Sequence, residues 1–560
     1  MNAVVNTVRY RMLGSIAAVI LDHPPVNAMG RAVRTGIKEC LERANADDAV
    51  RAVIVMGSES AFSGGADIKE FGTPLFSREL SQASMRVPDT LTKPLVAAIG
   101  GFALGGGLEL ALCCHYRVAL PGARLGLPEV KIGRTPGTGG TQRLPRLIGL
   151  EEAARMVLSG DLISSEAAAK LGLIDEIVQG DLLQGALQFI EGLLVKRAGV
   201  RRLRDMSVEC PDPEGFFSAK RAELARTRRG YVAPLKLLEC LEAAARLPFD
   251  EGMAVEARCN EELRDKDEDR ALRHLFAAER AAAKVPDLSR NTVSRNTPAR
   301  RIDTAVIVGT GAGDDIARSF VEANIAVKLL GMDAGEAASG QDLSVVSGGD
   351  IVVLAGHPAP EVVESISRHM REDAILALPC DAPPAALSRA TTIHAAFTRG
   401  AYGQGCLELM QGEATGLDVL ATLMALGKRL GRLVVVSGVR NHCISTRLLD
   451  KCHEHTDALL RSGVSCDQIN RAMEDWGFDI AAPHCGRWWF RPGQHPDASA
   501  GNDAVRAPQI VDRLLCAIVD EGAALVAEGV ALRPSDIDVL FTSGYGFPRY
   551  KGGPMYWADQ

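Results

Sequence analysis

Apolar positions along the first 190 residues fall into short runs separated by stretches of helical spacing. Ser15 to Asp22 (SIAAVILD), Ala52 to Gly57 (AVIVMG) and Leu95 to Ile99 (LVAAI) are short apolar runs bounded by turn residues. Such runs predict strands buried in a sheet. Arg31 to Ala44 spaces its apolar residues as a helix does, after the proline-rich turn HPPVNAMG. Strands alternating with helices predict an α/β domain. After Leu95–Ile99, three glycines at 105–107 break the pattern and Leu108 to Cys114 resumes it as a helix. The local order is therefore strand, glycine turn, helix.

Residues 191–296 read as helices rich in Ala, Leu, Arg and Glu, whose charge runs are solvated faces. The polar segment Ser289 to Arg300 (SRNTVSRNTPAR) makes a boundary. Thr304 to Val308 then predicts a strand, followed by GTGAGDDIARSF and a second strand in AVKLLGMD. From about 415 to 480 the spacing is helical again.

Composition narrows the class. With 47% hydrophobic and 24% charged residues over 560 positions, the chain has ordinary globular proportions and room for several domains. A net charge of -7 argues against a nucleic-acid-binding protein. No run of about eighteen uncharged apolar residues predicts a membrane span. The first residues lack the apolar core of a signal peptide, and the last three, ADQ, are not a peroxisomal address. The 13 cysteines show no paired CxxC spacing, which predicts reduced thiols, with Cys113 and Cys114 packed in a core. Together these point to the bacterial cytoplasm. Cys452, His453 and His455 lack a second ligand pair at zinc spacing, so no metal site is expected.

Chemistry concentrates between Lys93 and Gly149. A glycine turn opening a helix exposes unpaired N–H groups at the positive end of the helix dipole. Those donors suit a phosphate, or a thioester oxygen becoming an enolate. Glu109 stands three residues after Gly106, on the same face of the first turn, and Glu129 follows Pro128 in a glycine-rich loop. Two acids near an anion hole suit moving a proton, or adding water, beside a carbonyl.

The segments FALGGGLELALCCHYRVA, GLPEVKIG and PGTGGTQRLPRLIG resemble the crotonase (enoyl-CoA hydratase/isomerase) family, more narrowly the hydratase half of multifunctional beta-oxidation enzymes. AFSGGADIKEF (Ala61 to Phe71) resembles the family's first oxyanion segment. The resemblance implies an oxyanion hole from the N–H groups of Ala66 and Gly106. It implies Glu109 and Glu129 as catalytic acids that add water to a trans-2-enoyl-CoA. Gly64, Gly65, Asp67, Ile68, Gly105, Pro128 and Gly137 would line the substrate, and Arg31, Arg34 and Lys69 are candidates for CoA phosphates. Arg134 and Thr135 stand where relatives often carry apolar residues.

The resemblance extends over nearly the whole chain, tightly in 1–190 and weakly in 300–400. It implies a crotonase domain (1–190) and a helical extension with linker (191–296). A degenerate Rossmann-like domain (297–414) follows, then two all-α dehydrogenase-type domains, shortened (415–490) and truncated (491–560). The dinucleotide fingerprint G-x-G-x-x-G retains Gly309 and Gly311 but has Asp314 at its third place, with Gly313 one residue early. The ribose-binding acid position holds Gly331, with Asp333 two residues late. The family's catalytic histidine falls at Ala396, twelve residues before Glu408, with His394 two residues away. Its asparagine falls at Thr446 and its serine at Asp381. Loss of NAD binding and of hydride transfer is therefore expected, leaving Glu408 a relic. The resulting expectation is a monomeric enoyl-CoA hydratase with no cofactor beyond the CoA of its substrate. Alternatives are a bifunctional hydratase–dehydrogenase using His394 and Asp333, a Δ3,Δ2-enoyl-CoA isomerase, and a non-catalytic acyl-CoA-binding scaffold.

Overall fold

The computed structural model describes residues 7–75, 77–285, 299–310, 312–331, 343–356, 359–380, 382, 391–398, 405–412, 414–438, 443–479, 489–490 and 505–560. The chain divides into two compact units, residues 1–269 and 270–560.

The first unit begins with β1 (Val8–Leu13) and β2 (Ile16–Leu21), joined as an antiparallel hairpin. α1 (Arg31–Ala46), β3 (Ala52–Met56), α2 (Arg78–Thr90) and β4 (Leu95–Ile99) follow. β5 (Phe102–Leu104), α3 (Gly106–Cys113), β6 (Tyr116–Ala119) and β7 (Arg124–Gly126) lead to α4 (Gly140–Ile148) and α5 (Leu150–Ser159). β8 (Ile163–Ser164), α6 (Ser165–Lys170), β9 (Glu176–Ile177) and the helices α7 (Leu182–Val195), α8 (Pro213–Thr227), α9 (Ala233–Arg246) and α10 (Phe249–Leu263) complete it. Six strands form one sheet in the order β1-β2-β3-β4-β6-β9, and β5, β7 and β8 form a smaller one.

Side chains alternate across a strand, so a run buried on both faces must be apolar throughout. β4 obeys this: Leu95, Ala97 and Ile99 join the main core, while Val96 and Ala98 pack under α7 with Leu182, Ala186 and Ile190. The small sheet positions the site. Its parallel register sets Leu104 opposite Gly126, so the chain leaves two neighbouring strands toward Gly105–Gly106 and Glu129.

The second unit carries a seven-stranded sheet, ordered β11 (Ala326–Leu330), β10 (Thr304–Val308), β12 (Ile351–Leu354), β13 (Ile375–Leu378), β14 (Thr392–Phe397), β15 (Cys406–Met410), β16 (Leu433–Ser437). It is parallel except between β14 and β15, and helices such as Ala312–Glu322 and Leu417–Arg429 connect its strands. This is the Rossmann-like layout the resemblance implies, but it runs past residue 414: β16 lies in the stretch from 415 expected to be all helical, because it pairs in parallel with β15. Helices Ile444–Arg461, Cys466–Trp476, Ala507–Ala527 and Pro534–Gly544 follow, their apolar faces meeting around Trp489, Phe541 and Phe547. No described helix is long and apolar enough to cross a membrane.

One expectation is corrected here. The cysteines are not all thiols: Cys380, just past β13, is joined to Cys443, which caps helix Ile444–Arg461. The two lie 63 residues apart, so no local spacing announced them; the fold brings a strand end to a helix start.

Candidate active site

Three backbone segments converge at the start of α3. Ser63 runs beside β5: Phe62 N donates to Phe102 O, and Leu104 N donates to Ser63 O at 3.0 Å. Asn27, in the left-handed region at φ 49°, ties this segment to the Pro24–Pro25 turn. Its side-chain amide donates to Ala61 O and Phe62 O, and Ser63 Oγ donates to Asn27 O at 2.8 Å. Gly64 N donates to Val26 O, and Met29 N donates to Gly65 O.

These bonds leave Ala66 N and Gly106 N facing one space. A Cβ on Gly106 would lie 3.5 Å from Ala66 N, and one on Gly65 would lie 3.2 Å from Gly106 N. Neither N–H donates to any described residue. Asp67 and Ile68 begin the short 3-10 turn Ile68–Glu70, where Asp67 Oδ1 accepts from Lys69 N; Ile68 is exposed.

Glu109, in the first turn of α3, is buried, and its Oε1 accepts from Thr138 N at 2.8 Å and Gly140 N at 2.9 Å. Its Oε2 lies 3.9 Å from where a Cβ on Gly106 would stand. Glu129 is delivered by the 3-10 turn Pro128–Ile132, with Pro128 at its first position. Gly105 has φ 51°, and a Cβ there would meet Glu129 Oε1 at 2.9 Å, so only glycine lets the carboxylate come so close. Glu129 Oε2 is shielded from solvent and has no hydrogen-bond partner among the described residues. Burial, and then the Glu109 charge, push the Glu129 carboxyl well above the ordinary carboxylate range. Gly137 lies against Asn260 of α10, 3.3 Å from its Nδ2 to a notional Cβ.

A third acid escaped the reading of the chain. Glu256 of α10 is fully buried and accepts from Gly139 N at 2.7 Å, Thr141 N at 3.0 Å and Thr141 Oγ1 at 2.5 Å. Burial and the neighbouring Glu109 charge push its carboxyl up to about 8. Its neighbourhood, EARCNEEL, reads as an ordinary acidic helix, and no local signal marks it.

One basic candidate is already engaged. Arg34 is buried, donating to Ser81 Oγ at 2.7 Å and Glu70 Oε2 at 2.5 Å, so it serves as an internal ion pair rather than a free phosphate ligand. Arg134 makes a buried bidentate pair with Asp269, both bonds 2.8 Å, with its guanidinium 4.4 Å from the Phe71 ring centre. Arg31 donates to Leu75 O and Pro74 O, and Lys69 is exposed.

In the second unit, Gly309 follows β10 at φ 122°, where a Cβ would collide with Ala355 O at 2.6 Å. Asp314 and Asp315 occupy the first turn of helix Ala312–Glu322, and Asp314 is exposed. Gly331, past the end of β11, is exposed. Gly311, Asp333 and Asp381 lie outside the described residues. Ala396 pairs directly with Glu408 across β14 and β15, whereas His394 pairs with Met410. Glu408 accepts from Ile444 N at 2.5 Å, Ser445 N at 3.2 Å and the Ser445 hydroxyl. Cys380, Glu408 and Cys443 bring potential ligand atoms within 4.8 Å, but the two sulfurs are bonded to each other.

Two backbone N–H groups that donate to no described residue, beside a pair of carboxyl groups, make an arrangement suited to thioester enolate chemistry. The profile of the enoyl-CoA hydratase/isomerase family matches residues 11–208. The peroxisomal bifunctional enzyme of Danio rerio is 31% identical over 667 aligned positions, covering 98% of this chain and 92% of that protein. The Homo sapiens enzyme of the same name is 28% identical over 668 positions, with the same coverage. A peroxisomal fatty acid beta-oxidation multifunctional protein of Arabidopsis thaliana is 29% identical over 678 positions, covering 97% of this chain and 91% of that one. The chain belongs to this family of multifunctional beta-oxidation enzymes, and it is an enoyl-CoA hydratase with a crotonase domain at its N-terminal end. The alignments are longer than the chain, so the relatives carry segments that it lacks.

These relatives correct the expected location. Their names are peroxisomal and glyoxysomal, so the bacterial cytoplasmic placement does not stand. It rested on a missing terminal address and scattered cysteines. Receptors read short signals rather than folds, so neither observation fixes a compartment.

Proposed function

We propose that Glu109 and Glu129 add water to a trans-2-enoyl-CoA whose thioester oxygen sits between the N–H groups of Ala66 and Gly106. The observation that carries this is the pair of converging, unused N–H groups beside Glu109, which is buried, and Glu129, whose Oε2 is shielded from solvent. Donors at about 2.7–3.1 Å from the oxygen lower the barrier to an enolate. Glu129, whose carboxyl is raised above the ordinary carboxylate range by burial and then by the Glu109 charge, donates a proton to C2. Glu109, aimed by two peptide N–H groups, takes a proton from the water as its oxygen bonds to C3. Gly64, Gly65, Asp67, Ile68, Gly105, Pro128 and Gly137 border the bound thioester in this reading.

The second unit is proposed to have lost its dehydrogenase activity, because the described residues do not fit NAD. Two aspartates stand where a helix N-terminus would hold pyrophosphate, and a glycine stands where an acid would hold the ribose. Like charges at about 4 Å repel by roughly 1–4 kcal/mol at effective dielectric constants of 80 to 20. The methyl of Ala396 replaces an imidazole opposite Glu408. We read the working form as a monomer, which light scattering tests.

The experiment is a paired assay on crotonyl-CoA and longer enoyl-CoAs, with and without NAD. Loss of the enoyl absorbance without NADH is expected, and Glu109→Ala and Glu129→Ala should each slow hydration by about 10²–10⁴. NADH formation, or NAD binding by calorimetry, would refute the silent second unit. Undiminished hydration in either variant would remove that acid from the mechanism.

A further inference from the structure

The turn Thr138–Thr141 opens α4, and its four consecutive N–H groups are divided between two carboxylates. Thr138 and Gly140 donate to Glu109, while Gly139 and Thr141 donate to Glu256. The first N–H groups of a helix have no partner inside it and carry partial positive charge, so carboxylates on both sides satisfy them. α10 is shaped to this turn along one face. Asn260, one turn beyond Glu256, donates from Nδ2 to Thr135 O at 2.7 Å. Gly252, one turn before it, has no room for a side chain, since a Cβ would meet Gln142 Oε1 at 2.1 Å. Met253 Sδ lies 3.1 Å from where a Cβ on Gly139 would stand.

We propose that Glu256 is a positioning residue for hydration: it clamps the Thr138–Thr141 turn from the side opposite Glu109, so that the turn holds the Glu109 carboxylate in one orientation toward the water. This rests on the reading of Glu109 as the group that takes the water's proton. Among the described residues, Glu256 accepts hydrogen bonds from peptide and hydroxyl groups of the turn, so its effect passes through Glu109. Without the clamp, Gly139 N and Thr141 N lose buried acceptors, and the turn must shift to find others.

The test measures kcat and KM for hydration in Glu256→Gln, Glu256→Ala, Glu109→Ala and the double variant Glu109→Ala/Glu256→Ala. The substrate is the straight-chain enoyl-CoA that the unaltered enzyme turns over fastest. The glutamine variant keeps the volume and one acceptor oxygen but turns an amide donor toward a donor. Expected losses in kcat are about 10-fold for glutamine and about 100-fold for alanine with KM little changed, since misplacing a catalytic group by about 1 Å costs on the order of 10². In the double variant, removing Glu256 should cost nothing beyond the loss of Glu109. Unchanged kcat in Glu256→Ala, a rise in KM alone, or a further loss in the Glu109→Ala background would overturn the clamp. Full activity in Glu109→Ala would instead sink the reading of Glu109, and the single-variant data separate the two failures. If the alanine variant does not fold, the glutamine variant carries the same cycle.

Discussion

Ala396 lies directly opposite Glu408 in the antiparallel pair of β14 and β15, and the Glu408 carboxylate turns to the N-terminus of helix Ile444–Arg461. With alanine directly opposite it, this acid serves as a helix cap. Burial raises its carboxyl, and three donors from Ile444 and Ser445 oppose that shift. Replacing Glu408 by alanine strands buried N–H groups and should destabilise the second unit by about 1–3 kcal/mol. Thermal unfolding reads this. Ala396→His, in contrast, should restore no NADH formation, because the dinucleotide position is altered as well.

The proposed anion hole depends on missing side chains. In Gly106→Ala the new methyl would lie 2.8 Å from Met29 Cε and 3.5 Å from Ala66 N, inside the space the oxyanion needs. Hydration should fall by about 10²–10³ while the fold persists. Gly105→Ala meets a different obstacle: a φ of 51° and a clash with Glu129 Oε1. It should lower both the melting temperature and kcat, which calorimetry and kinetics on one preparation would separate from the effect at Gly106.

Non-reducing peptide mapping should recover the Cys380 and Cys443 peptides joined, with two more thiols titrating after reduction. The bond closes a loop of 63 residues, for which chain entropy alone gives about 4 kcal/mol of stabilisation. Cys380→Ser should lower the unfolding midpoint of the second unit accordingly. Separate, unlinked peptides would refute the pairing.

Glu129 and Glu256 both carry raised carboxyl pKa values, from burial first and the Glu109 charge next. An acid whose folded pKa exceeds its unfolded value of 4.5 contributes its stability fully below that value. The contribution fades as pH rises, for Glu256 through about 8. On this account the first unit loses thermal stability across that window, and Glu256→Gln, which cannot ionise, flattens the profile. A difference in melting temperature between the two proteins that does not change with pH would refute the shift.

Much of the site was readable residue by residue. Strand β4, the glycine turn, the first-turn position of Glu109 and the loop position of Glu129 follow from patterns a few residues long. Periodicity places an acid on a helix face, and only glycine accepts φ 51° beside a carboxylate. The departures from the dinucleotide fingerprint at Asp314 and Gly331 were likewise visible as residue types at fixed offsets.

Neighbouring residues alone dictate the local geometry and the chemical inventory: a strand, a left-handed glycine, two acids, two donors. Tertiary structure decided the partners. Glu256 meets Gly139 and Thr141 across more than a hundred residues, Cys443 meets Cys380 across 63, and Arg34 is taken up by Glu70 instead of a phosphate. Backbone conformation answers to sterics within a few residues, whereas a buried charge or thiol takes whichever partner the packing of distant elements brings within bonding distance.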